Sequence, residues 1–386
     1  MGRFYFDFGN YLKMLRLARR GPDRARRRSL YRTFLVVVPA MATLHAICFA
    51  LDPVVHPRLR RTPVRAPVFS LGHARSGTTL LHRLMAADED RFSFFLLYEM
   101  FFPSLIEKEL LRAFLRLDAG VLGGRVRRRI DAWDERKFRR SQGMHESGLF
   151  AAEEDGFVLT LSCCSGFWIV LLPYMGEVDS YHVDRWPRRK RQRVMRFYKE
   201  CLRRQLYLNG ADKTHLSKNP GFTGRVESLV ETFPDARFIV PIRNPYETIP
   251  SLLKLLQMSW TLRGRDEARI GESLRVLAEN SYHNYLHPLE VLDRHPEVAR
   301  VIVDYRDLVS DPAGTVRSIY AELGLEVSPA FAATLDRERG RPYVSTHAYS
   351  LEEYGLEADE IRRRLGVLFD RFDWDEDEEV RADAGS

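Results

Sequence analysis

Residues 68–79 read Val-Phe-Ser-Leu-Gly-His-Ala-Arg-Ser-Gly-Thr-Thr. The apolar run Val68–Leu71 has the length and composition of a buried strand. Gly72 and Gly77 bracket a turn, and the apolar-periodic stretch from Thr78 to Met85 predicts the helix that follows. A strand, turn and helix in this order aim backbone N–H groups and a helix N-terminus at an anion. The phosphate loop of a nucleoside triphosphatase reads G-x-x-x-x-G-K-[ST], with the lysine on the β/γ-phosphates and the hydroxyl on Mg²⁺. Here Thr78 stands in the lysine position, and Arg75 is the cation inside the loop. Such a loop suits a terminal phosphate but is poorly equipped to transfer a γ-phosphoryl group.

A second element, Arg237–Ser251, reads Arg-Phe-Ile-Val-Pro-Ile-Arg-Asn-Pro-Tyr-Glu-Thr-Ile-Pro-Ser. Phe238–Ile242 is an apolar run of strand length, and Arg243 stands at its carboxyl end, where open α/β sheets bind ligands. Asn244-Pro245 turns the chain, and Tyr246–Leu256 keeps helical spacing despite Pro250. Arg243 and Ser251 together offer a guanidinium clamp and a hydroxyl to a phosphate.

These residues resemble the sulfotransferases that use 3′-phosphoadenosine 5′-phosphosulfate (PAPS). The family's 5′-phosphosulfate loop reads [R/K]-S-G-T-T after a strand, as Arg75, Ser76, Gly77, Thr78 and Thr79 do here. An Arg and a Ser spaced like Arg243 and Ser251 hold the 3′-phosphate in that family. The resemblance runs over residues 67–355 as an ordered series. It implies transfer of a sulfuryl group from PAPS to a hydroxyl or amine acceptor, with no metal. Lys218, in His-Leu-Ser-Lys-Asn-Pro, matches the family's K-x-P element, whose cation reaches the sulfuryl group or bridging oxygen. Tyr305, in Val-Asp-Tyr-Arg-Asp-Leu, matches a tyrosine that contacts the nucleotide in several members. Arg341 falls where the family closes a loop over the nucleotide, although the R-K-G-x-x-G motif of the cytosolic branch is absent.

Glu99 is the expected base. It follows the apolar run Phe92–Leu97, near the carboxyl end of the second strand, and many protein- and glycan-modifying members carry a glutamate at about this distance. Phe94, Phe95 and Phe101 are expected to raise its pKa toward neutrality. His145 is the rival, because the cytosolic branch uses a histidine. Glu153, Glu154 and Asp155 form an acidic knot that suits either acceptor binding or a solvated helix start. His82 is expected to pack or cap rather than react.

Alternating strand-length and helix-length runs predict a three-layer α/β/α domain of the P-loop type around a central parallel sheet. The expected strands are Val68–Leu71, Phe92–Leu97, one near His215–Ser217, Phe238–Ile242 and Val301–Val303. Residues 1–66 form a basic and apolar helical segment, 67–372 the catalytic domain with a helical insertion at 104–165 on the acceptor side, and 373–386 an acidic tail.

The 386 residues carry a net charge of +7, and the arginines cluster, as in Arg16–Arg32 and Arg125–Arg140. Such clusters suit a nucleotide, acidic lipid headgroups or a sulfatable glycan. No nucleic-acid-binding signature accompanies them. The four cysteines have neither metal-ligand nor disulfide spacing, which fits a reducing, cytoplasmic compartment. Thr33–Leu51 approaches spanning length, yet it holds Pro39 and His45, has basic residues on both flanks and starts too late for a simple signal peptide. Peripheral membrane contact through 30–52 is the expectation, and a lipid or glycan-like hydroxyl is the favoured acceptor. The competing readings are a P-loop kinase, which needs the missing lysine, and a non-catalytic membrane-associated binding protein.

Overall fold

The computed structural model describes residues 3–20, 24–138, 148–338 and 350–374. Its N-terminal part holds α1 (Phe8–Leu17), α2 (Arg24–Arg32), a π-helical turn at Thr33–Val37 and α3 (Val38–Val55). Then come β1 (Val68–Ser70), α4 (Thr78–Ala86), β2 (Phe92–Ser93), α5 (Leu97–Phe101), α6 (Leu105–Val121) and α7 (Arg125–Phe138). After three short 3₁₀ turns, α8 (Arg188–Asn209) leads to β3 (Thr214–Lys218), α9 (Val226–Thr232), β4 (Arg237–Ile242), α10 (Pro245–Leu262) and α11 (Glu267–Arg294). β5 (Ala299–Asp304) is followed by α12 (Tyr305–Ser310), α13 (Pro312–Glu322), α14 (Pro329–Glu338) and α15 (Ala358–Phe372).

The strands form one parallel sheet in the order β2-β3-β1-β4-β5, with β1 central. Successive residues of the inner strands face opposite layers, which keeps β4 apolar from Phe238 to Ile242, whereas β3 buries His215, Ser217 and Lys218. Phe69, Phe238 and Val240 pack with Tyr198, Phe222 and Phe233 on one side. Val68, Leu216 and Ile239 pack with Leu81, Leu84 and Val316 on the other. The chain leaves β1 toward one sheet edge and returns to β4 on the other side, which opens a crevice at the carboxyl ends of β1, β3 and β4.

Helix starts follow ordinary capping chemistry. Asn244 accepts from Tyr246 N with Pro245 in the first turn, and Asp311 does the same for α13 through Gly314 N. The expected strand Phe92–Leu97 is cut short. Beyond Ser93 the chain pairs instead with the insertion, through Glu153 N to Phe95 O (3.2 Å) and Leu97 N to Ala151 O (3.1 Å), and then enters α5.

The N-terminal helices share the domain's core. The Phe49 and Phe197 rings lie 5.4 Å apart. Asp52, fully buried, accepts from Arg204 Nε at 2.6 Å and from Leu105 N and Ile106 N, so it closes the first turn of α6. Removing one partner of such a buried pair typically costs about 3–5 kcal/mol.

Candidate functional site

The loop after β1 is shaped by two close approaches. A Cβ on Gly72 would lie 2.6 Å from the Pro241 carbonyl oxygen, so only glycine lets β1 and β4 run this close. Gly77 has φ +83°, and a side chain there would strike the Tyr305 ring at 2.8 Å. Arg75 also adopts a positive φ, +74°, which is uncommon for a residue with a side chain. The loop ends at α4, whose first amides have no intrahelical partner and face the loop.

The structure brings four of the sequence-predicted residues together. Arg75 Nε donates to Ser251 Oγ at 3.0 Å. Arg243 Nη1 donates to the Arg75 carbonyl oxygen at 3.4 Å, and its guanidinium lies 4.2 Å from the centre of the Tyr305 ring. Arg243 Nε is paired with Glu247 at 3.0 Å. Ser76, Gly77, Thr78 and Thr79 continue the same loop into α4. The loop and the β4–α10 junction, read as separate phosphate contacts, thus form one cationic corner. Arg341 and His145 lie outside the described residues.

Support for this corner comes from α11, which gave no signal of it in the sequence. The Tyr285 hydroxyl donates to the Arg243 carbonyl oxygen at 2.7 Å, and its ring stacks on His73 at 4.7 Å. His73 Nε2 also meets Ser281 Oγ at 3.0 Å. Burial pushes the His73 pKa down to about 4, so the imidazole is a neutral prop.

Lys218 closes the other wall of the crevice. It ends β3, in register with Ser70 of β1, and is almost wholly buried. Its Nζ lies 3.8 Å from Glu153 Oε2 and 3.9 Å from Glu154 Oε1. The Asn219 Nδ2, buried beside it, has no hydrogen-bond partner among the described residues. Beneath this group Asp155 accepts from the Tyr198 hydroxyl (2.7 Å) and meets His215 Nε2 (2.8 Å). The acidic knot is therefore no solvated helix start: Asp155 anchors it and Glu153 and Glu154 face the lysine. His82 is buried, and burial, then the Lys218 charge, pushes its pKa down to about 3. It packs, as expected, and is a neutral imidazole at neutral pH.

The expected rise in the Glu99 pKa is corrected. Burial does push it up, but Lys108, the Leu96 N–H, the Gln205 amide and Arg112 hold it below the usual glutamate range. Oε2 accepts from Leu96 N (3.1 Å) and Gln205 Nε2 (2.7 Å), and Oε1 accepts from Arg112 Nη2 (2.9 Å). The apolar neighbours are present, but the cations of α6 outweigh them. Glu99 is a pinned, ionised carboxylate.

Beside it lies an apolar cavity of about 400 Å³ between α5, α6 and α7. Tyr98, Phe101, Leu115, Ile130, Trp133 and Phe150 contribute to its walls. The insertion thus supplies both the carboxylates near Lys218 and a hydrocarbon-lined space.

The sequence model described as "Sulfotransferase family" matches residues 67–329. The chain is 27% identical over 326 residues to omega-hydroxy-beta-dihydromenaquinone-9 sulfotransferase Stf3 of Mycobacterium tuberculosis, covering 80% of this chain and 75% of that protein. The Mycobacterium bovis protein of the same name matches equally. In three dimensions the chain is similar to sulfotransferase STF9 from Mycobacterium avium, with a TM-score of 0.72 at 20% identity over 95% of this chain and 92% of that one. Sulfotransferase STF1 from Mycobacterium tuberculosis follows at 0.67 and 21% identity, over 92% and 90%. At these identities the solved structures speak for the fold.

Proposed function

Because this chain belongs to the sulfotransferase family, as an enzyme of that class, we propose that its donor is PAPS and its acceptor a hydroxyl on a lipid. The donor reading is supported by the cationic corner, where Arg75, Arg243, Ser251 and the N-terminus of α4 converge. In this reading the loop Arg75–Thr79 binds the 5′-phosphosulfate. Arg243 and Ser251 bind the 3′-phosphate, and the Tyr305 ring packs against the nucleotide. PAPS supplies the sulfuryl group, which leaves 3′-phosphoadenosine 5′-phosphate (PAP) behind.

One observation carries the chemistry: Lys218 stands between the phosphate-loop strand and two carboxylates. Lys218 neutralises charge on the sulfuryl group and the bridging oxygen as the S–O bond to phosphate breaks. Glu154, the more exposed of the pair, takes the acceptor's hydroxyl proton while the new O–S bond forms. Glu153 stays buried and holds the lysine. Glu99 orients α5 and the acceptor wall from behind, as a positioning residue.

The lipid acceptor is supported by the apolar cavity, whose volume lies in the range of small-molecule sites. The curated relatives carry the name of a menaquinone-type acceptor, itself a lipid. All four cysteines are buried free thiols, which accords with a reducing compartment. The test is transfer of labelled sulfate from PAPS to a long-chain isoprenoid alcohol in detergent. Turnover that rises with chain length and is lost in Glu154→Gln supports the reading. Equal turnover on short soluble alcohols, or full turnover of the variant, contradicts it.

A further inference from the structure

We infer that the outer faces of α3 and α6 form a docking surface for an anionic lipid bilayer, on which the protein lies without crossing it. This goes beyond the donor and acceptor chemistry above and rests on surface composition alone.

The stretch Arg27–Val55 is long and apolar enough to span a membrane. Its inner face argues otherwise. Asp52 is locked to Arg204 and to the first turn of α6, His45 Nδ1 meets Glu107 Oε1 at 2.6 Å, and Phe49 packs on Phe197. Insertion across a bilayer would tear Asp52 from a wholly buried arginine, which keeps Glu200, and leave the Asp52 carboxylate without its cation. The helix is thus a core element on one side only.

Its outer side is apolar and, among the described residues, uncovered. Val36, Leu44, Ile47, Leu51 and Val54 are between 43 and 70% exposed and recur at helical spacing. The π-helical turn adds Leu35 and Val37, so three consecutive apolar residues face outward at Leu35–Val37. The neighbouring α6 carries its own stripe at Leu110, Phe114, Leu117 and Val121, each at least 47% exposed. Two adjacent stripes of this size are unusual on a soluble monomer.

The charge pattern names the partner. Residues 24–61 hold eight arginines and one acid, Asp52, which is buried. The exposed Arg24, Arg28 and Arg32 precede the apolar stripe, and Arg58, Arg60 and Arg61 follow it. Apolar residues bracketed by arginines at both ends suit an acyl boundary beneath anionic headgroups. A second copy of this face would set arginine clusters against each other.

The test is flotation of the full chain with phosphatidylcholine vesicles, with and without phosphatidylglycerol, and PAP affinity as the fold control. The intact chain should partition at least about tenfold better onto the anionic vesicles. Leu44→Glu/Ile47→Glu/Leu51→Glu should cut that partition about tenfold or more, as should Leu110→Glu/Leu117→Glu, with PAP binding unchanged. Arg24→Glu/Arg28→Glu should cost about fivefold per arginine and lose its effect at high salt. Alkaline carbonate should release the protein from membranes. Retention after carbonate would mean a span and overturn the inference. Dimerisation abolished by the same glutamates, without vesicle binding, would assign the face to a second copy instead.

Discussion

The donor corner and the acceptor wall of this enzyme use the same kinds of charged residue but assemble them differently. Arg75, Arg243 and Tyr305 each stand within a few residues of a strand end, and Ser251 follows two turns into a helix that starts there. The sheet brings these ends together, so short local motifs suffice to specify the corner. On the acceptor wall, Glu153 and Glu154 come from an insertion after two helices, and their position depends on pairing with the stretch that follows β2. Glu99 sits next to that pairing but is claimed by cations of α6 and the Gln205 amide of α8. Local sequence placed the first group, and long-range packing decided the second.

Lys218 joins the two sides, so its loss should have the largest effect. Lys218→Met should lower kcat about 10³-fold with little change in PAP affinity, measured in single-turnover sulfotransfer. A variant that instead loses PAP binding would move Lys218 wholly to the donor corner.

The next contrast separates the two acceptor-side carboxylates. Glu99→Gln should destabilise the fold by about 3 kcal/mol in urea unfolding, because it strips the ion from a buried network. Glu154→Gln should leave stability nearly unchanged and lower kcat about 10²-fold. The reverse pattern would restore Glu99 as the base.

The depressed Glu99 pKa also has a pH signature. Its folded value lies below its unfolded value, so its stabilisation is present above the ordinary glutamate range near about 4.3. It is lost as pH falls through the folded value. The intact protein should therefore show an acid limb below that range that is flatter in Glu99→Gln. Superimposable curves for the two proteins would contradict the ion network.

Much of the architecture was legible because parallel strands buried on both faces are written as continuous apolar runs. Phe238–Ile242 and Val301–Val303 lie inside β4 and β5, extended by one to three residues. Phe92–Leu97 misled because an edge segment can pair outside the sheet, and no local signal marks the switch at Ser93. Glu99 misled for a related reason. Phe94, Phe95 and Phe101 are visible beside it in the sequence, whereas Lys108 and Arg112 reach it only once α6 folds back. Tyr285, His73 and Asp155 support the site through contacts across tens of residues, which spacing does not encode.

The smallest expected effect lies within the donor corner. Ser251→Ala removes one hydroxyl that also holds Arg75, and should weaken PAP about fivefold by calorimetry. No change would place the phosphate elsewhere along the loop.

The most direct test of the whole account is calorimetric titration of the intact protein and Arg243→Ala with PAP, beside ATP with and without Mg²⁺. The account expects tight, metal-independent PAP binding that weakens about 10²-fold in the variant. Preference for ATP with Mg²⁺, or a variant that binds PAP as well as the parent, would contradict it.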